Sequence, residues 1–157
     1  MNMSMPMSKQ YIPNNAVVRA VREHGIIAVV DDDPHISHAL GMWLLMQGLQ
    51  TSHYMCAESL LRAIRLQDGH LCLPYGFNST VSSPMVGAVL DLNLPGTSGA
   101  ELANKLRSID PLLPIVMITA QREYETELVG QLPTNIPCLQ KPFDLDVLEC
   151  TLFNQFV

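Results

Sequence analysis

Apolar residues in this chain fall into short runs cut off by acidic or turn-forming residues, and between the runs the spacing changes from continuous to helical. Ile26-Ile27-Ala28-Val29-Val30 is the kind of uninterrupted run carried by a strand buried on both faces. It stops at Asp31-Asp32-Asp33-Pro34, where Asp33 is placed to cap a helix that has Pro34 in its first turn. Ile36, Leu40, Trp43 and Leu44 then keep helical spacing as far as Gly48. The same change of period recurs four more times. Strands are predicted at 50–54, 86–90, 115–118 and 137–140, and helices at 57–66, 99–109, 123–132 and from Leu145 onward. Five βα units in succession predict an α/β fold, a parallel sheet wound with helices on both faces.

Two stretches lie outside this rhythm. Residues 1–13 mix Met, Ser, Pro and Asn without a period and read as a disordered N-terminal arm. Residues 14–24 read as a short helix capped by Asn15 and stopped by Gly25. The folded domain is placed at 25–157. Within it, residues 69–85 form an insertion between the second helix and the third strand. Pro74, Gly76 and Pro84 argue against a long regular element there, so the insertion reads as a surface elaboration. The helical stripes Leu102, Leu106, Ile109 and Leu148, Leu152, Phe156 read as core, as does Trp43 with Leu40 and Leu44. Leu152, Phe153 and Phe156 are also candidates to extend to a homodimer face.

Composition narrows the function. The 157 residues are 48% apolar and 15% charged, enough for one substantial core and one domain. Nine Lys and Arg against fifteen Asp and Glu leave a formal charge of −6, so there is no basic footprint for nucleic acid. The longest apolar run, Ala39 to Met46, is too short to span a bilayer, and the region after Met1 has no signal-peptide pattern. A cytoplasmic location is expected. Cys56, Cys72, Cys138 and Cys150 have no metal-site or redox spacing and read as free thiols, and the Asn78-Ser79-Thr80 acceptor match reads as accidental.

Ligands of an open parallel sheet bind outside the carboxyl ends of its strands. There the sequence places Asp31 and Asp32 after the first strand, Asp91 after the third, Thr119 at the end of the fourth and Lys141 after the fifth. Two carboxylates about 4 Å apart repel by about 4 kcal/mol at an effective dielectric near 20. Lys141 offsets part of this, and the remaining acidic excess suits Mg²⁺ held by few protein ligands and several waters. Such a site can bring phosphate to a nucleophilic carboxylate while cations neutralise its oxygens. His35 and His38 lie one helical turn apart, but imidazole is a poor magnesium ligand, so they read as surface residues.

These residues stand in motifs that resemble the receiver domain of response regulators, the CheY-like superfamily. The matching segments are Val29-Val30-Asp31-Asp32-Asp33-Pro34, Leu90-Asp91-Leu92-Asn93-Leu94-Pro95-Gly96 with Gly99, Ile118-Thr119-Ala120 and Lys141-Pro142-Phe143. Cys56-Ala57-Glu58-Ser59-Leu60-Leu61 and residues 92–102 are similar in wording to the FixJ-like branch, whose members commonly continue into a helix-turn-helix output domain. With the chain ending at Val157, it reads as either a single-domain regulator or a fragment.

The resemblance implies a flavodoxin-like fold with strand order 2-1-3-4-5 and a signalling domain, not a turnover enzyme. Asp91 would take phosphate from a phosphohistidine on a sensor histidine kinase or histidine phosphotransfer protein and thereby switch binding of a downstream target. It implies Mg²⁺ bound directly by Asp32, Asp91 and the Asn93 backbone carbonyl, with Asp31 acting largely through water. Thr119 and Lys141 would hold phosphoryl oxygens, Ala120 would leave room, and the Lys141-Pro142 bond would be cis. Two alternatives are a receiver fold that only binds partners and a phosphohydrolase of the haloacid dehalogenase type. The latter needs an acid two residues after the nucleophile, where Asn93 stands. Two departures fall on the output side. Cys138 stands where the family has a switching Tyr or Phe, and Pro133-Thr134-Asn135-Ile136-Pro137 replaces a small Gly-Ala connection.

Overall fold

The structure, a computed structural model, describes residues 25–74, 81–120 and 125–156. The N-terminal arm and the 14–24 helix lie outside the described residues, as do positions 75–80 of the insertion. Five strands make the parallel sheet: β1 (Ile26–Val30), β2 (Gln50–Tyr54), β5 (Ser82–Asp91), β6 (Ile115–Thr119) and β7 (Cys138–Gln140). Their order is β2-β1-β5-β6-β7, the 2-1-3-4-5 order of five βα units. The helices are α1 (Pro34–Met46), α2 (Ala57–Ala63), α3 (Gly99–Ile109), α4 (Glu125–Gly130) and α5 (Leu145–Phe153).

Alternation along β1 divides the interior. Ile26, Ala28 and Val30 face one core with Leu60 of α2 and Leu102 and Leu106 of α3. Ile27 and Val29 face the other, with Leu40 and Leu44 of α1 and Leu148, Leu152 and Phe153 of α5. Both faces of the sheet are thus covered, which explains why its strands read as continuous apolar runs. Trp43 and Phe156 pack at the margin of the second core. Ile109 is exposed, because the last turn of α3 runs past the edge of the first core. Leu152 and Phe153 are fully buried, so these two side chains are core and not a dimer surface.

The largest departure from the sequence reading lies between α2 and β5. Helix α2 ends at Ala63 instead of Leu66, because Ile64 is extended and Arg65–Gln67 forms β3. β3 pairs antiparallel with β4 (His70–Pro74) through Leu66↔Leu71, and the turn between them carries Asp68 and Gly69 at φ +53° and +78°. Positive φ at both turn residues matches the strand twist of a two-residue hairpin, and Asp-Gly supplies it cheaply. β4 pairs in turn with the start of β5, Cys72↔Pro84 and Pro74↔Ser82, so the third parallel strand begins at Ser82 and not at Val86. Pro74 and Pro84 are accommodated because proline fits extended backbone and loses only a donor. Leu71 and Leu73 join the first core, so this part of the insertion is packed structure.

Candidate functional site

The acidic residues sit at strand ends because the buried runs that precede them end there. Asp31 follows β1 and is fully buried, its backbone N–H donating to the Tyr54 carbonyl at the end of β2. Asp91 is the last residue of β5, 5% exposed, and Leu92 N–H donates to the Ile118 carbonyl of β6. Asp32 is exposed at the mouth. Each of the three can offer one carboxylate oxygen to a set whose members all lie within 4.8 Å of one another. Asp33, half-buried, caps α1 by accepting from the His35 N–H at 2.9 Å, and His35 and His38 point into solvent on α1.

Lys141 enters from the far side of the sheet. Its backbone N–H donates to the Thr119 carbonyl at 2.7 Å, which ties it to the end of β6. Its Nζ lies 3.1 Å from Asp31 Oδ2 and 3.1 Å from Asp91 Oδ2, bridging carboxylates on two strands. The other oxygens of this pair accept backbone N–H groups: Asp31 Oδ1 from Asp33 at 2.8 Å, Asp91 Oδ1 from Asn93 at 3.0 Å. Thr119 is 7% exposed at the end of β6, and Ala120 beside it is exposed. The Lys141-Pro142 peptide is cis.

The electrostatics follow from this crowding. Burial pushes the Asp91 carboxyl up, the Asp31 carboxylate pushes it further, and Lys141 and the Asn93 N–H offset only part, leaving it raised to about 6. Burial acts against the Lys141 ammonium, but Asp91 and Asp31 together hold its pKa above the ordinary lysine value. The cleft is therefore short of positive charge even with its lysine in place. An all-oxygen donor set, three carboxylates with Asp32 facing solvent, fits a hard divalent cation such as Mg²⁺.

Of the residues picked from the sequence, Asp31, Asp32, Asp91 and Lys141 come together directly, and Asn93, Thr119 and Ala120 stand on the adjoining strand ends. Cys138 does not join them. It opens β7 opposite Met117, with an exposed side chain. One participant escaped the sequence reading. Glu58, in the first turn of α2, accepts the Thr97 N–H at 2.9 Å and so touches the loop that follows Asp91. Its partner lies 39 residues away, and no local pattern marks such a contact.

Comparison with known proteins bears on the whole arrangement. The family model of the response regulator receiver domain matches residues 84–152, from β5 into α5. The "Probable transcriptional regulatory protein TcrX" of Mycobacterium tuberculosis is 29% identical over 120 residues, which cover 76% of this chain and 44% of TcrX. The chain thus spans less than half the length of the curated relatives it matches. Among solved structures, a sensor protein from Polaromonas sp. JS666 is 27% identical with a TM-score of 0.62, covering 84% of this chain and 95% of its own. A response regulator receiver protein from Sinorhizobium medicae superposes at a TM-score of 0.67 with 19% identity, over 85% and 95% of the two chains. No helix among the described residues is long and apolar enough to cross a membrane. A parallel sheet in 2-1-3-4-5 order, an acidic cluster at its carboxyl edge and these matches point the same way: over residues 84–152 the chain matches the response regulator receiver domain of two-component signalling.

Proposed function

We propose that this domain takes a phosphoryl group from a phosphohistidine on a sensor histidine kinase or histidine phosphotransfer protein onto Asp91, and that the modification switches binding of a downstream target. The observation that carries the reading is Lys141 Nζ placed 3.1 Å from both Asp31 and Asp91, with Asp32 completing a three-carboxylate set at the same strand ends. A carboxylate oxygen of Asp91 attacks phosphorus, the P–N bond breaks, and the imidazole leaves. Lys141 pairs with one phosphoryl oxygen, the Thr119 hydroxyl donates to another, and Ala120 leaves room for the group. Asp32, Asp91 and the Asn93 backbone carbonyl would hold Mg²⁺ directly. Asp31, fully buried behind the exposed Asp32, would act largely through water. Bound Mg²⁺ supplies neutralisation of the phosphoryl oxygens, which three carboxylates would otherwise repel.

The resulting domain assists its own modification and its later hydrolysis, works in the cytoplasm, and does not turn over free substrate. The test is incubation with Mg²⁺ and acetyl phosphate, read by intact mass. A labile phosphoryl adduct on the wild type that is absent from Asp91→Asn is the expected result. Equal labelling of the two proteins overturns the assignment of Asp91. No adduct on either overturns the phosphoacceptor reading in favour of a domain that only binds partners.

A further inference from the structure

The loop between β5 and α3, residues 92–98, leads away from the proposed phosphoacceptor and carries Asn93. Its base is closed by Gly99 N–H donating to the Leu92 carbonyl at 3.0 Å, and Leu92 and Leu94 are buried in the first core. Its tip has no such burial: Pro95 and Gly96 are exposed. There Glu58 reaches over from α2, with Oε1 2.9 Å from the Thr97 nitrogen. The carboxylate lies against Gly96, whose φ is +75° and on which an added Cβ would meet Glu58 Oε1 at 2.9 Å. Hydrogen bonds from the Thr97 hydroxyl and then its backbone N–H hold the Glu58 carboxyl down to about 2, so the charged acceptor persists across the physiological range.

We propose that Glu58 is a positioning residue for the acidic site: by fixing the loop tip through Thr97 it sets where the Asn93 backbone carbonyl faces the carboxylates. This rests on the reading of Asn93 as a magnesium ligand given above. Asn93 is tied on one side by its own N–H, which donates to Asp91 Oδ1 at 3.0 Å. The orientation of its carbonyl is then set by the chain that follows, and that chain is held by Leu94 from inside and by Glu58 from outside. A carboxylate in the first turn of a helix also serves that helix's own N–H groups. That role alone would leave the metal site unaffected by its loss, and so the two roles can be told apart.

The experiment measures adduct formation from acetyl phosphate against Mg²⁺ concentration for wild type, Glu58→Met and Glu58→Gln, with a thermal melt of each. Partners that orient metal ligands are worth about 10- to 100-fold in metal affinity, and with Leu92 and Leu94 still in place the lower end applies. Glu58→Met, close in size but a poor acceptor, should raise half-saturating Mg²⁺ about tenfold, with the rate at saturating Mg²⁺ kept within about twofold. Glu58→Gln keeps a carbonyl for the Thr97 N–H and should restore most of the affinity. Should Glu58→Met fail to fold, Thr97→Val removes one of the two bonds and should raise half-saturation in the same direction by less. Unchanged half-saturation in a folded Glu58→Met, or in Thr97→Val where that is the variant that folds, overturns the proposal. So does a Gln variant as impaired as the Met variant, which would assign the effect to charge alone. A wild type that forms no adduct overturns instead the phosphoacceptor reading on which the proposal rests.

Discussion

Asp91 is held in the folded protein at an energetic disadvantage, and replacing it by a neutral isostere should make the metal-free domain more stable. Its carboxyl is raised from 3.8 to about 6, mainly by burial and by the Asp31 carboxylate. Two pKa units correspond to about 3 kcal/mol of unfavourable ionisation at neutral pH. Solvent at the open mouth beside Asp32 screens part of this, which leaves about 1–2 kcal/mol. The sign follows from linkage: a group with its folded pKa above its unfolded one favours folding below pH 3.8, and that advantage is lost as the pH rises through 6. In Asp91→Asn the side-chain oxygen still accepts the Asn93 N–H, and Lys141 keeps its 3.1 Å ion pair with Asp31. Urea unfolding in EDTA at pH 7.5 should therefore show Asp91→Asn more stable than wild type by about 1–2 kcal/mol, or about 2–8 °C in a melt. At pH 4.5 the gain should shrink to about half to two thirds of that value. A variant no more stable than wild type at pH 7.5, or a gain of equal size at both pH values, would refute the argument that charge crowding governs this site.

Four further outcomes are expected. Asp32→Ala should weaken Mg²⁺ binding more than Asp31→Ala in a calorimetric titration, because a direct ligand contributes more than a carboxylate acting through water, and Asp32 is the exposed member of the pair. Gly99→Ala should destabilise by about 1–3 kcal/mol in chemical unfolding, since its Cβ would run into the Asp91 carbonyl, a backbone group that cannot move aside. Leu73→Ala should lose about 2–5 kcal/mol, because this β4 side chain is fully buried; a loss below about 0.5 kcal/mol would mean the hairpin is dispensable surface. Cys138→Ala should leave phosphorylation and phosphorylation-dependent partner binding nearly unchanged, since a small exposed thiol cannot fill or vacate an aromatic pocket, whereas Thr119→Ala should uncouple the two in a pull-down.

What could be read from the sequence, and what could not, divides by the range of the interaction involved. Ile26–Val30 and Ile115–Thr119 declared themselves because strands covered on both faces have no choice but to be apolar throughout, and their ends coincide with Asp31 and Thr119. Helix α3 matched its predicted limits because Ser98 and Gly99 mark its start locally and Leu102 and Leu106 face one core. The predicted helix 57–66 takes in Arg65 and Leu66 because the apolar spacing of α2 continues through them. Pairing with His70–Cys72 across an Asp-Gly turn overrode that propensity, and Pro74 and Pro84 masked the pairing with β5. The acidic residues and Lys141 were legible as a set only because the topology of five βα units brings all carboxyl ends to one edge. Glu58 was not, since its contact with Thr97 depends on how far α2 leans toward the β5–α3 loop, a distance no sequence period encodes.

The Asp68-Gly69 turn and Asp91 are joined through one hydrogen-bonded ladder, because β4 runs antiparallel beside the start of β5, Cys72↔Pro84 and Pro74↔Ser82, and β5 ends at Asp91. Continued to His70, that register falls level with Val86, about five residues or about 16 Å along the strand from Asp91 at about 3.3 Å per residue. A fluorescent reporter attached at the turn, two strands out from β5, would sit outside the acidic cluster while remaining coupled, through β4, to the backbone that carries Asp91. Asp68 is exposed and can be replaced by a labelling cysteine once the exposed Cys138 and the half-buried Cys56 and Cys150 have been changed to serine, leaving Cys72 protected inside the core. The hairpin thus gives the domain an optical handle outside the acidic cluster, suited to following changes in the central strand in real time without touching Asp31, Asp32, Asp91 or Lys141.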